Sequence, residues 1–257
     1  MKIGILWRGM IIIDSRNKNV LVTGISSGIG RAIAQKYINH GYTVCGLDKY
    51  ADFKDVPYNM YVCDLSQENE VSEAFDKLKE KYETINYVVN CAGIFFDQRR
   101  TLIEEMDINE WEHVINNNLT GYMLVTKYAI SLLRGAKGDR AIINIASDQA
   151  MYPRKKNSAY SVSKAGIVNF SHACAVELIN ERIRVNAIMP ASVRSNFISR
   201  LVDNKEELDS IYSRENDKMP LGIIEADEVA ELAYFLGSDK AKKITGQSIM
   251  MNSGLYI

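Results

Sequence analysis

At 257 residues and 29.0 kDa the chain is long enough to bury a sizeable core, and no linker-like stretch divides it. Its 31 Lys and Arg nearly balance 32 Asp and Glu, for a net charge of −1. That balance excludes the basic field that a nucleic acid or a membrane surface would require, and favours a small substrate of modest charge.

Residues 1–17 are expected to be an N-terminal extension: Arg8 interrupts the apolar run and no small-residue cleavage site follows. No uncharged apolar run approaches the roughly eighteen residues of a membrane span, so no membrane association is expected. From Lys18 onward the pattern alternates, and residues 18–257 are expected to form a single dinucleotide-binding and catalytic domain. Asn19–Val22 reads as a strand, Gly30–Asn39 as a helix and Tyr42–Leu47 as the next strand. Asn59–Cys63 follows as a third strand and Gln67–Tyr82 as a helix with a capping-box-like start at Ser66. Ile85–Val89, Ala141–Ile145 and Arg184–Ile188 are three more apolar strands, separated by helices over Ile108–Leu133 and Ala159–Asn180. Strands that are apolar throughout and alternate with helices imply a parallel sheet covered on both faces, a doubly wound, three-layered α/β fold of Rossmann type.

Cys45, Cys63, Cys91 and Cys174 form no C-x-x-C and mostly fall in or beside apolar runs, as buried thiols of a reducing, cytoplasmic setting would. His40, His113 and His172 are scattered, with no carboxylates at ligand spacing, so no metal is expected. A hydride carrier, if there is one, should then be organic.

Ligands of such sheets gather beyond the carboxyl ends of the strands. After the first strand stands Thr23-Gly24-Ile25-Ser26-Ser27-Gly28-Ile29-Gly30, a turn opening a helix. Its glycines let the backbone approach a pyrophosphate at the helix N-terminus, and Gly24, Ser27, Gly28, Ile29 and Gly30 are the candidate contacts. The second strand ends on Asp48, eighteen positions beyond Gly30, near the roughly twenty expected of a carboxylate that bonds ribose hydroxyls. A carboxylate there repels a 2′-phosphate, so NAD is favoured over NADP. Asp64 and Leu65 follow the third strand, placed for an adenine edge. Asn90, Cys91, Ala92 and Gly93 follow the fourth, as small residues along the cofactor, and Ser147 follows the fifth. Pro190, Val193 and Ser195 follow the sixth and would close over the nicotinamide end.

Thirteen residues beyond Ser147 is Tyr160, and four further is Lys164, one helical turn away on the same face. A neighbouring ammonium favours the phenolate and is expected to bring Tyr160 from about 10 towards working pH, where a phenol can exchange a proton with an alcohol or ketone.

Together these motifs resemble the short-chain dehydrogenase/reductase family, of the compact type, from about Lys18 to Gly254. The resemblance implies a catalytic tetrad. Tyr160 would be the general acid or base, Lys164 would lower its pKa and hold the nicotinamide ribose, and Ser147 would orient the substrate oxygen. Asn118, chosen over Asn116 and Asn117 because it precedes Leu-Thr-Gly, would anchor a water that links Lys164 to solvent. Cys91, Ala191, Ser195 and Asn252-Ser253-Gly254 depart from the family's usual residues. The expected activity is NAD-dependent interconversion of a secondary alcohol and a ketone, on a sugar, polyol or cyclic alcohol or dihydrodiol. Residues 194–219 would cover the substrate. Two alternatives stand beside it: reduction of a 3-oxoacyl-carrier thioester, and a non-catalytic dinucleotide-binding regulator. The resemblance also implies a homodimer or homotetramer built on the helices containing Asn118 and Tyr160.

Overall fold

The computed structural model describes residues 18–50, 58–95, 101–195 and 204–257. The expected N-terminal extension lies outside them, as does part of the segment expected to cover the substrate.

Seven parallel strands form one sheet: β1 (Asn19–Thr23), β2 (Thr43–Asp48), β3 (Asn59–Val62), β4 (Tyr87–Asn90), β5 (Arg140–Ile145), β6 (Ile183–Pro190) and β9 (Ser248–Met251). Their order is β3-β2-β1-β4-β5-β6-β9, so the chain runs outward from β1 in one direction, returns, and continues outward from β4 in the other. The point where the order reverses opens a crevice beyond the ends of β1 and β4. A short pair, β7 (Val193–Arg194) with β8 (Ile224–Glu225), ties the loop after β6 to the next helix.

The helices are α1 (Gly28–Asn39), α2 (Glu68–Lys81), α3 (Ile108–Ile115), α4 (Gly121–Gly135), α5 (Ser158–Leu178), α6 (Lys205–Lys218) and α7 (Ala226–Leu236). One face of the sheet is covered by α1 and α7, through Ile33, Ala34, Tyr37, Val229, Ala233 and Leu236. The other is covered by α2, α4 and α5, through Val71, Phe75, Leu78, Val125, Leu133 and Leu178. With both faces sealed, central strands carry no polar alternation: all eight residues of β6 are buried. Each fully buried Leu, Ile or Phe contributes about 1.5–3 kcal/mol, which holds the strand ends in register beneath the crevice.

Two elements differ from the sequence-based expectation. The helix expected over 108–133 is two helices joined by a single π-turn, Asn116–Thr120. Its 3.6-residue periodicity survives on either side, so the one extra residue leaves no mark in the apolar pattern. The last strand, Ser248–Met251, is not among the apolar strands read from the sequence above and starts only beyond Gly246, whose φ of +67° is left-handed.

Candidate active site

A cleft of about 760 Å³ runs along the carboxyl ends of the strands, from the β1–α1 turn to the start of α5. That is the size range of a ligand pocket.

Its first half is built for a dinucleotide. Gly24 sits at φ +66°, and a Cβ there would come within 2.8 Å of Ala92 Cα. At Gly30 a Cβ would lie 2.1 Å from the Gly24 carbonyl oxygen, so only hydrogen fits where the turn folds against its own helix. The Ser27 hydroxyl does not cap α1, and the first turn of that helix holds no acidic residue. Its amides therefore remain available to an anion, as a pyrophosphate requires. Asp48 closes β2, with Oδ2 accepting from the Ser26 amide at 3.0 Å and Oδ1 from the Tyr50 amide at 3.1 Å. Lys49 pairs with Asp64 at 2.6 Å along the same wall. These residues fit the dinucleotide expected from the sequence. Ser27, Gly28, Ile29, Leu65, Ala92 and Gly93 line the cleft, as do Pro190, Val193 and Ser195.

Asn90 does not. It is fully buried beneath the cleft, its Nδ2 donating to Asn144 Oδ1 at 2.8 Å. Strand alternation turns this side chain under the floor, so only the backbone of Asn90 is left to reach a cofactor, and Cys91 to Gly93 form the wall.

The second half holds Tyr160 and Lys164, the pair expected to transfer protons. Tyr160 and Lys164 leave the first turns of α5 on one face, with Lys164 Nζ 5.6 Å from the Tyr160 ring centre. Lys164 is only 5% exposed and donates to the Ile145 carbonyl at 3.0 Å. Removal from water pulls its pKa from 10.5 down to about 8. Burial likewise pushes the Tyr160 phenol up to about 12, against the lowering effect of a hydrogen bond with Ser147. This differs from the expectation of a phenol drawn down by Lys164: here burial is the largest influence on the phenol, and Ser147 and Arg154 are the groups that lower it. Phe95 meets the Tyr160 ring edge-on at 4.8 Å.

Asn118 stands in the π-turn, fully buried and behind the cleft wall. Its Oδ1 accepts from the Ile94 amide at 2.8 Å, and its Nδ2 donates to the Ile94 carbonyl at 3.0 Å and to Ser163 Oγ at 3.1 Å. It thereby pins the loop after β4 to α5. A Cβ on Gly93 would lie 3.2 Å from Asn118 Oδ1 and 3.6 Å from Lys164 Nζ, so the bare glycine keeps a gap open between the two.

The substrate end contains residues that the sequence reading passed over. Asp148, 1% exposed, accepts from Ser147 Oγ at 2.9 Å, from Arg154 Nη2 at 3.1 Å and from the Tyr256 hydroxyl at 2.7 Å. Arg154 Nη1 lies 3.7 Å from Glu215 on α6, and Glu215 also accepts from Ser192 Oγ at 2.7 Å. Helix α6 is thus tied to the turn that carries Ser147. Asp148 and Gln149 were findable by inspecting two more residues after β5, whereas nothing in the sequence marks Arg154 or Tyr256.

A family model described as Enoyl-(Acyl carrier protein) reductase matches residues 24–256. The 3-oxoacyl-acyl-carrier-protein reductase FabG of Thermotoga maritima is 31% identical, over 93% of this chain and 98% of its own length. The chain belongs to the short-chain dehydrogenase/reductase family. As a member it is an oxidoreductase that works with a nicotinamide dinucleotide. The ligand-free aldohexose dehydrogenase of Thermoplasma acidophilum is similar in structure, with a TM-score of 0.87, 31% identity and 94% and 95% of the two chains covered. A 3-ketoacyl-acyl-carrier-protein reductase from Brucella melitensis, solved with NADH, aligns with a TM-score of 0.82, 27% identity and 95% and 100% coverage. Among the described residues no helix is long and apolar enough to cross a membrane.

Proposed function

We propose that this protein interconverts a secondary alcohol and a ketone with NAD, on an oxygen-rich substrate such as a sugar or polyol. The observation that carries the reading is the convergence of Ser147, Tyr160 and Lys164 on the same cleft as the glycine turn and Asp48. When bound, the dinucleotide gives hydride to the carbonyl carbon or takes it from the carbinol. Tyr160, raised to about 12, holds its proton across neutral pH and is suited to give it to a carbonyl oxygen. Ser147 shares a hydrogen bond with that phenol and is the group to hold the same oxygen, by turning its one hydrogen away from Asp148. Lys164 supports the phenolate left after transfer, and the gap at Gly93 leads from its ammonium to Asn118 as a path for protons.

Asp48 supports NAD over NADP, because a 2′-phosphate would meet a carboxylate. His113, Asn117, Gln149, Arg154 and Arg214 around the far end support a polar substrate, and the likeness to an aldohexose dehydrogenase agrees with it. The names of the curated relatives favour a second reading, reduction of a 3-oxoacyl thioester. Met123 on α4 and Val162 and Val176 on α5 are exposed apolar side chains, which supports self-association through these helices. The deciding experiment follows nicotinamide absorbance with sugars, polyols and cyclic alcohols in one direction and 3-oxoacyl thioesters in the other. Tyr160→Phe should abolish turnover with NAD affinity kept; activity surviving in that variant, or none on any compound with the native chain, overturns the reading.

A further inference from the structure

Two residues beyond Ser147, Gln149 lies in the 3-10 turn Asp148–Ala150 at the end of β5 and is only 6% exposed. Its Oε1 accepts from Asn157 Nδ2 at 3.1 Å and from Ser161 Oγ at 3.3 Å. Both donors are buried and flank Tyr160 at the start of α5. Two bonds on one oxygen fix the amide plane of a residue that lines the cleft. The Nε2 group meets no acceptor among the described residues. The nitrogen is not sealed from solvent and so keeps an opening to the cleft, where a donor held in place through its own oxygen can meet a ligand acceptor. The backbone amide of the same residue donates to Ser147 Oγ at 3.2 Å, so its position is locked to the hydroxyl beside the phenol.

We infer that Gln149 selects substrates carrying a second oxygen one or two carbons from the reacting carbon, by donating its Nε2 hydrogens to that oxygen. The inference rests on the alcohol–ketone reading of the site and deepens it. A neighbouring sugar or polyol hydroxyl supplies such an acceptor, and so does the ester or thioester carbonyl of a 3-oxoacyl compound. A simple alcohol or ketone supplies none. One neutral hydrogen bond made only with the oxygenated compound corresponds to a preference of about tenfold in kcat/KM.

The test compares two matched pairs: cyclohexane-1,2-diol against cyclohexanol with NAD, and ethyl acetoacetate against 2-pentanone with NADH. The native enzyme should prefer the oxygenated member of one pair by about tenfold or more, and the pair that responds identifies the source of the acceptor. Gln149→Leu should bring the ratio within that pair close to one. Gln149→Glu keeps an oxygen for Asn157 and Ser161 but loses the donor, and should bring it down as well. A native-like ratio in the Glu variant would assign the side chain a structural part only and overturn the inference. A native ratio near one in both pairs also overturns it while leaving hydride transfer intact, whereas turnover of none of the four compounds, together with none of the sugars, polyols and thioesters above, sinks both readings together.

Discussion

Replacing Lys164 with Met tests the energetic cost built into the site. The ammonium is almost wholly removed from water and donates to the uncharged Ile145 carbonyl, and this burial is why its pKa falls from 10.5 to about 8. At about 1.36 kcal/mol per unit, that shift means that the charged side chain destabilises the fold by on the order of 3 kcal/mol relative to its neutral form. Below about pH 8 the folded and unfolded chains both hold the proton, so Lys164 adds no pH dependence there. Between about 8 and 10.5 the unfolded chain keeps a proton that the folded chain has released, and native stability rises with pH; above 10.5 the contribution is flat. Met fills a similar volume without a charge. Lys164→Met should therefore be more stable than the native protein by roughly 3 kcal/mol at neutral pH, with the gap closing as pH approaches 10.5, while turnover is lost. Urea unfolding of both proteins followed by circular dichroism, from about pH 6.5 to 10.5 at constant ionic strength, reads the difference and cancels every other titrating group. A gap that stays constant or widens with rising pH would refute the argument.

Asp48→Asn retains the shape of the side chain and an acceptor for the Ser26 amide but removes the charge, so NAD should bind about tenfold more weakly and NADP more tightly. Titration of the two dinucleotides by intrinsic fluorescence checks it, and an unchanged NAD-to-NADP ratio would remove Asp48 from cofactor choice. Gly93→Ala places a methyl 3.2 Å from Asn118 Oδ1 and 3.6 Å from Lys164 Nζ, close enough to fill the gap without striking backbone. It should lower kcat by about tenfold or more with little change in the melting midpoint. A kcat equal to that of the native enzyme would show that the gap carries no proton.

The sheet was legible because its strands are buried on both faces, leaving short apolar runs such as Ile142 and Ile143 that no amphipathic helix imitates. Most of the cofactor wall was legible for a related reason: a parallel sheet places ligands after its strands, so position in the chain stands in for position in space. That rule fails where strand alternation decides, as at Asn90, whose side chain turns beneath the floor. It is blind to contacts between distant segments. Arg154 reaches Glu215 and Tyr256 reaches Asp148 across the fold, and no local pattern announces either. The phenol's acidity was misjudged because spacing along a helix reports proximity of charge and says nothing of lost hydration.

The five residues Asn116–Thr120 carry one implication for how this chain can vary. A π-turn takes up one added residue by widening a single turn, so deleting a residue there would restore an ordinary turn, leave α3 and α4 in phase, and take away the bulge that carries Asn118. Side chains in the segment other than that of Asn118 can drift; its length cannot, because the bracket that Asn118 forms between the Ile94 backbone and Ser163 depends on the added residue.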